Sequence, residues 1–335
     1  MKIIRLLCIF VIAHGQAFAT EELLHKAEAQ SFVQSMVKRD HFTKAEVESA
    51  LRLANYQQSI IDAMNHPYEQ KPWNVYQALF LTDERIQQGV RFWKDNQAAL
   101  RAAEVKFGVP ADMIVAIIGI ETLYGKHQGN YRVLDALTTL AFYYPKRSAY
   151  FMRELREYLL LCREHKVPVT QYLGSYAGAM GKPQFMPSSY RVYAVNFLDA
   201  GHNADLMHED RDVINSVANY FHQHGWKAHE KIAEPTSVNW WASQHLVTNS
   251  KFPNYTLQQL RKTGIKSSIH WTQMRAGVLE LMNTGKKQEY WLAYHNFYVI
   301  TRYNTSPQYA LAAYLLSQRL RQEWALVQEI HHARV

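Results

Sequence analysis

The segment from Gly108 to Gly125, GVPADMIVAIIGIETLYG, constrains the fold of this chain more than any other. Ile114, Val115, Ile117, Ile118 and Ile120 fall around most of the circumference of a helix, so that helix must be buried on nearly every side. Pro110 suits the first turn and Gly125 the C-terminal stop. Glu121 then falls in the last turn, where burial and the negative end of the helix dipole both disfavour a carboxylate. Both should raise its pKa and keep it protonated near neutral pH, the state in which a carboxyl can give a proton to a glycosidic oxygen. A structural glutamate paired with a buried arginine is the competing reading.

Nearly half of the 335 residues are apolar (48%), enough for a large core and more than one lobe. Thr43 can cap a helix over 44–55 and Ser59 one starting at Ile60, and 83–107 continues with apolar residues at helical steps. After Trp226 the texture changes. Aromatic and β-branched residues crowd 238–241, 269–271, 278–281 and 289–303, with a turn at Asn283-Thr284-Gly285, so a small antiparallel sheet is expected near 228–302. Ser306 and Pro307 then start a final helix that runs to about Ile330.

The first residues read as a secretory leader: Lys2 and Arg5, an apolar run over 6–13, and the small-residue pattern Ala17-Phe18-Ala19. The run is too short to cross a bilayer, which takes about 20 residues. Cys8 sits in the middle of it rather than at the cleavage point, so no lipid anchor is expected, and the mature chain keeps only Cys162 and can form no internal disulfide. Removal of 1–19 lowers the formal charge from +8 to +6, because the leader carries two bases and no acid. For an exported protein a basic surface suits acidic wall polymers rather than nucleic acid.

Two further segments stand out. GSYAGAMGKPQFMPSSY (174–190) lets the backbone approach a ligand closely and offers Ser175 and Gln184, but lacks the ending of a phosphate loop. RYNTSPQY (302–309) is expected to leave a last strand and enter the last helix, with tyrosines near both ends. Together with IIGIETLYG, YYPKRSAYF, SVANYFHQHGW and VITRYN, in this order and spacing, these segments resemble the lytic murein transglycosylase B family over roughly residues 70–315.

The resemblance implies a mainly α, α+β protein: a lysozyme-like catalytic core over 108–227, a helical flanking domain over 20–107 plus 303–335, and a small β domain over 228–302. It makes Glu121 the sole catalytic acid and base. Lys146 and Arg147 are expected to meet peptide or carboxylate groups, Ser175, Gln184, Phe185 and Tyr220 to line a sugar cleft, and Tyr303, Asn304 and Tyr309 to surround the cleaved bond. Tyr76, in WNVYQALFL, is a weaker match. The implied reaction cleaves the bond between N-acetylmuramic acid and N-acetylglucosamine in peptidoglycan and closes a 1,6-anhydro ring, in the periplasm and without a cofactor. Cell-wall synthesis proteins are candidate partners. A hydrolytic muramidase, which normally uses a second carboxylate, and a non-catalytic wall-binding protein are the alternatives.

One departure from the family concerns calcium. With Gly201 at the sixth position of a calcium loop over 196–207, the first, third, fifth and twelfth positions are Asn196, Leu198, Ala200 and Met207, a poor ligand set. No tight calcium site is expected, and Asp199, Asp205, Glu209 and Asp210 read as a solvated acidic turn. The sixteen histidines include no His-Glu-x-x-His spacing, so no zinc is expected.

Overall fold

The computed structural model describes residues 22–65, 71–198, 201–247, 249 and 252–332. The expected leader, 1–19, lies outside the described residues. In chain order come helices α1 (Ala27–Asp40), α2 (Lys44–Arg52), α3 (Gln58–Asn65), α4 (Trp73–Phe80), α5 (Asp83–Asp95), α6 (Gln97–Phe107) and α7 (Ala111–Thr122). Then follow β1 (Tyr131–Arg132), α8 (Val133–Tyr143), α9 (Ser148–His165), β2 (Leu173–Gly174), α10 (Pro187–Tyr193) and α11 (Asp210–Gln223). The rest is β3 (Ala233–Thr236), α12 (Trp240–His245), β4 (Tyr255–Thr256), α13 (Leu257–Lys262), β5 (Arg275–Met282), β6 (Gln288–Ala293), α14 (His295–Tyr303) and α15 (Pro307–His332). The mainly helical class with small antiparallel sheets is the one expected. Among the described residues no helix is long and apolar enough to cross a membrane.

The chain divides into two compact units, one taking the described residues up to 65 with 128–192, the other 71–127 with 193–332. Residues 108–227, expected as one core, are therefore shared between them. The reason in the first unit is packing: α8 and α9 lie against each other and bind α3 and α1 respectively. Asp135, at the start of α8, is the fastening. Its buried carboxylate accepts from Arg132 Nε at 2.9 Å and Nη2 at 2.6 Å, from the Asn55 amide at 2.9 Å and from Gln57 Nε2 at 3.2 Å. Thr43 caps α2 through a reciprocal box with Glu46, as its position suggested, although α2 stops at Arg52.

In the second unit α7 is enclosed by α5, α6, α11 and α15. Every residue from Ala111 to Ile120 is buried, which is what its all-round apolar sequence demands. The sheet has the order β3-β6-β5-β4 and is antiparallel throughout. Pro235 falls on β3, an edge strand, where a missing ladder donor is tolerated.

Three strand expectations need correction. Residues 238–241 enter a helix, because Asn239 caps α12 by accepting from the Ala242 amide at 2.8 Å. Residues 269–271 lie in a loop held by Arg261, whose guanidinium donates to the Ile269 and His270 carbonyls. Residues 289–303 are a strand only to Ala293 and then become α14, so the 302–309 segment leaves a helix and not a strand. Aromatic and β-branched content marked burial there rather than strand: Phe297, Val299 and Ile300 face the core, and buried Asn296 bonds both the amide and the carbonyl of Lys227.

Asp135→Ala would take this acceptor from half-buried Arg132 and the Asn55 amide, a loss of about 1–3 kcal/mol. Urea unfolding should show a lower midpoint, and an unchanged midpoint would remove Asp135 from its fastening role.

Candidate active site

The last turn of α7 carries Glu121, and the chain leaves it through two successive left-handed residues, Leu123 (φ 50°) and Tyr124 (φ 60°). Such conformations cost roughly 1–2 kcal/mol per non-glycine residue, so other contacts must hold them. The Leu123 amide donates to the Gly119 carbonyl at 3.1 Å, the Gly125 amide to Thr122 Oγ1 at 2.9 Å, and the His127 amide to the Thr122 carbonyl at 2.9 Å. The Tyr124 hydroxyl folds back and donates to the Arg85 carbonyl at 3.1 Å. It passes between two helix glycines. A Cβ on Gly89 or Gly119 would lie 2.3 or 2.4 Å from that hydroxyl. Arg85 completes the lock, with Nε donating to the Gly119 carbonyl at 3.0 Å and Nη1 to the Leu79 carbonyl at 2.6 Å, while burial lowers its pKa.

Glu121 itself retains a little exposure, but its carboxyl is desolvated, and desolvation pushes it up to about 7. The opposing influence is the Tyr309 hydroxyl, which donates to Glu121 Oε1 at 2.5 Å. Arg85, half-buried beside this turn, donates to carbonyls, so the reading of Glu121 as half of a buried ion pair has no support. Tyr303 and Tyr309 are held well above the ordinary tyrosine pKa by burial and by the Glu121 charge, so both are neutral hydroxyls. Tyr76 is buried and acts electrostatically on Tyr309. Tyr220 packs its ring 4.9 Å from Tyr303 and donates to the Arg302 carbonyl at 2.6 Å. Asn304 accepts from the Ser306 amide at 2.9 Å, which sets the entry to α15 and hence Tyr309. Thus Glu121, Tyr76, Tyr220, Tyr303, Asn304 and Tyr309 belong to one unit.

The remaining expected residues belong to the first unit. Lys146 and Arg147 are exposed on a short 3-10 turn before α9, with the Arg147 guanidinium 4.4 Å above the Tyr150 ring. Ser175 Oγ accepts from the Ala179 amide at 3.0 Å, and Gln184, itself left-handed (φ 51°), donates to the Gln128 and Gly181 carbonyls at 3.0 and 2.9 Å. Phe185 is buried. Glycine is required where the segment crosses itself, since a Cβ on Gly174 would sit 2.2 Å from the Ala179 carbonyl oxygen.

The loop over 196–207 is tied by a carboxylate. Buried Asp212 accepts from the Phe197 amide at 2.8 Å, the Asp205 amide at 2.8 Å and Asn196 Nδ2 at 3.3 Å. Asp205 is spent on the Met207 and His208 amides, and Asp199 lies outside the described residues.

Sequence reasoning missed Arg85, Gly89, Gly119 and Tyr124. A signal was present: glycine costs about 1 kcal/mol inside a helix, so two glycines in helical stretches mark a close approach.

Residues 25–318 match a family model described as Transglycosylase SLT domain. The chain is 36% identical over 307 residues to membrane-bound lytic murein transglycosylase B of Escherichia coli (strain K12), spanning 89% of this chain and 83% of that protein. Soluble lytic transglycosylase SltB1 from Pseudomonas aeruginosa superposes with a TM-score of 0.81 at 42% identity, over 88% of this chain and 98% of its own. SltB3 of the same organism, solved with NAG-anhNAM-pentapeptide, gives a TM-score of 0.76 at 25% identity, over 88% of this chain and 80% of its own.

A carboxyl with a pKa raised on folding binds more protons in the folded state, so its share of stability is present below the unfolded value and lost as pH rises towards about 7. Glu121→Gln should therefore raise the thermal midpoint more at pH 8 than at pH 4.5, by the equivalent of up to roughly 3 kcal/mol. Gly119→Ala should lower the midpoint at every pH by displacing Tyr124, and Tyr124→Phe should relieve part of that loss. Equal effects of Glu121→Gln at both pH values would show that its carboxyl is not perturbed.

Proposed function

Because the chain belongs to the transglycosylase SLT domain family and is a lytic murein transglycosylase acting on peptidoglycan, we propose that Glu121 is its sole catalytic acid and base. The observation that carries this reading is a desolvated carboxyl with a pKa of about 7 whose partner is a neutral tyrosine hydroxyl. A group poised there is protonated when substrate arrives and can ionise once it has given its proton away.

Protonated Glu121 gives its proton to the oxygen joining C1 of N-acetylmuramic acid to the next N-acetylglucosamine. The C1–O bond breaks, the glucosamine leaves as an alcohol, and positive charge develops at C1. The carboxylate then takes the proton of the muramyl C6 hydroxyl, whose oxygen closes on C1. The product is a 1,6-anhydromuramyl end, and Glu121 is again protonated. Tyr303 and Tyr309, kept neutral by burial, supply fixed O–H dipoles at the carboxylate. Asn304 sets the turn that leads to Tyr309, Tyr76 acts electrostatically on Tyr309, and Tyr220 packs against Tyr303. From the first unit, Ser175, Gln184 and Phe185 are assigned to the sugar and exposed Lys146 and Arg147 to carboxylates of the substrate.

No carboxylate other than Glu121 is needed. Asp135, Asp205 and Asp212 are committed to structural hydrogen bonds, which favours transglycosylation over hydrolysis. The same commitment of Asp212 supports a loop that closes without calcium, so calcium and a chelator should leave the thermal midpoint unchanged. The leader-like residues 1–19 support export to the periplasm.

Digestion of purified sacculi, with mass spectrometry of the released muropeptides, tests the reaction. Muramyl ends lighter by one water, absent with Glu121→Gln, are expected. Ordinary reducing ends would make the enzyme a muramidase, and no release would leave a binding protein. On a soluble glycan, kcat/KM should fall about tenfold per pH unit above about 7, as the protonated fraction of Glu121 declines.

A further inference from the structure

The sheet-bearing part of the second unit, residues 228–294, holds eight lysines and arginines against four glutamates and no aspartate. None of these charges serves the Glu121 chemistry. Its apolar residues are sorted by type. Leu257, Leu260, Ile265, Val278 and Leu292 are buried in its core. Trp240, Trp241 and Trp271 face outward, 78%, 49% and 64% exposed. Among the described residues these are the tryptophans that stand out as exposed large apolar side chains. Indoles left in water while leucines are buried mark a contact surface.

The tryptophans are held in place rather than merely left outside. Asn239 caps α12 and ties its start to α13 by donating to the Thr263 carbonyl at 2.9 Å. Ala242 is then buried, and Trp240 and Trp241 project outward. His245 Nδ1 donates to the Trp241 carbonyl at 2.8 Å, and the ring stacks under the Trp241 indole, with centroids 4.6 Å apart and planes 14° from parallel. One indole face is thereby supported and the ring's orientation set. Trp271 lies in the loop that Arg261 fastens to α13. Exposed Lys262 and Lys266 flank the Thr263–Gly264 turn that Asn239 holds.

We propose that the outward side chains of α12 and of the 269–271 loop, both tied to α13 and the turn that follows it, form a second, non-catalytic binding surface for peptidoglycan strands. The indoles stack on the apolar faces of N-acetyl sugars, and Lys262 and Lys266 meet the carboxylates of the attached peptides. The assignment rests on the peptidoglycan activity derived above. A lipid surface shares the positive charge requirement, but it draws on fully exposed aliphatic side chains beside the aromatic ones, and here Val238, Leu246 and Ile269, the aliphatic neighbours of the tryptophans in sequence, pack at least partly against the core. A weak second site on the same polymer keeps the enzyme bound between cleavages by raising the effective concentration of the next bond.

Co-sedimentation with sacculi tests this, using Glu121→Gln so that the polymer stays intact. Adding Trp240→Ala, Trp241→Ala and Trp271→Ala should weaken binding by about tenfold or more. With Glu121 restored, the triple variant should turn over a short soluble glycopeptide at the normal rate and intact sacculi more slowly. Undiminished sacculus binding overturns the proposal, as does a loss confined to phosphatidylglycerol vesicles. Should the triple variant also lose soluble turnover, its fold has failed, and Lys262→Glu with Lys266→Glu decides instead: weaker sacculus binding supports the surface and unchanged binding overturns it. Failure of the wild-type chain to cleave the soluble glycopeptide would count against the Glu121 reading alone.

Discussion

The hydrogen bond from Tyr309 to the Glu121 carboxyl gathers most of the second unit around one atom pair. It forms at a desolvated helix end, where a charged carboxylate is expensive, and it is donated by a tyrosine that burial keeps neutral. Burial alone would drive the carboxyl higher. The hydroxyl brings it back to about 7, where both protonation states are within reach. A lysine or arginine in Tyr309's place would have held Glu121 ionised and removed the acid.

Holding that pair requires the end of α7 to be rigid, and the structure spends several interactions on it. Two residues with side chains adopt left-handed backbone, a tyrosine hydroxyl occupies space that two glycines vacate, and a half-buried arginine serves carbonyls instead of a carboxylate. Each is unfavourable or neutral taken alone. Together they leave the last turn one geometry, which is the usual relation between local strain and a working site. Buried Asp212 ties the described residues around the 196–207 loop in a similar way, fixing two backbone donors with one carboxylate.

The position of the helix that carries Glu121 was legible because all-round apolarity admits few solutions: Ile114, Val115, Ile117 and Ile118 are all fully buried, as their spacing requires. The character of α14 was not. Phe297, Val299 and Ile300 read equally well as strand or helix by composition, and burial of Asn296 against Lys227 decided between them. Trp240 and Trp241 misled in the same way, since aromatic residues suit a strand as readily as an exposed helix turn.

From its residues alone this chain determined its mainly helical class, the burial of the 111–122 helix, Glu121 in the last turn, and, through ordered motifs, the family to which it belongs. These depend on periodicity and local chemistry, which travel with the sequence. Only the tertiary structure decided that Tyr309, 188 residues away in the chain, is the hydroxyl on Glu121. It also decided that Arg85 braces the turn from outside the motif, and that 108–227 is shared between two units. Such facts arise from contacts between distant segments, and a contact that depends on the packing of whole helices leaves no mark at the spacing of a few residues.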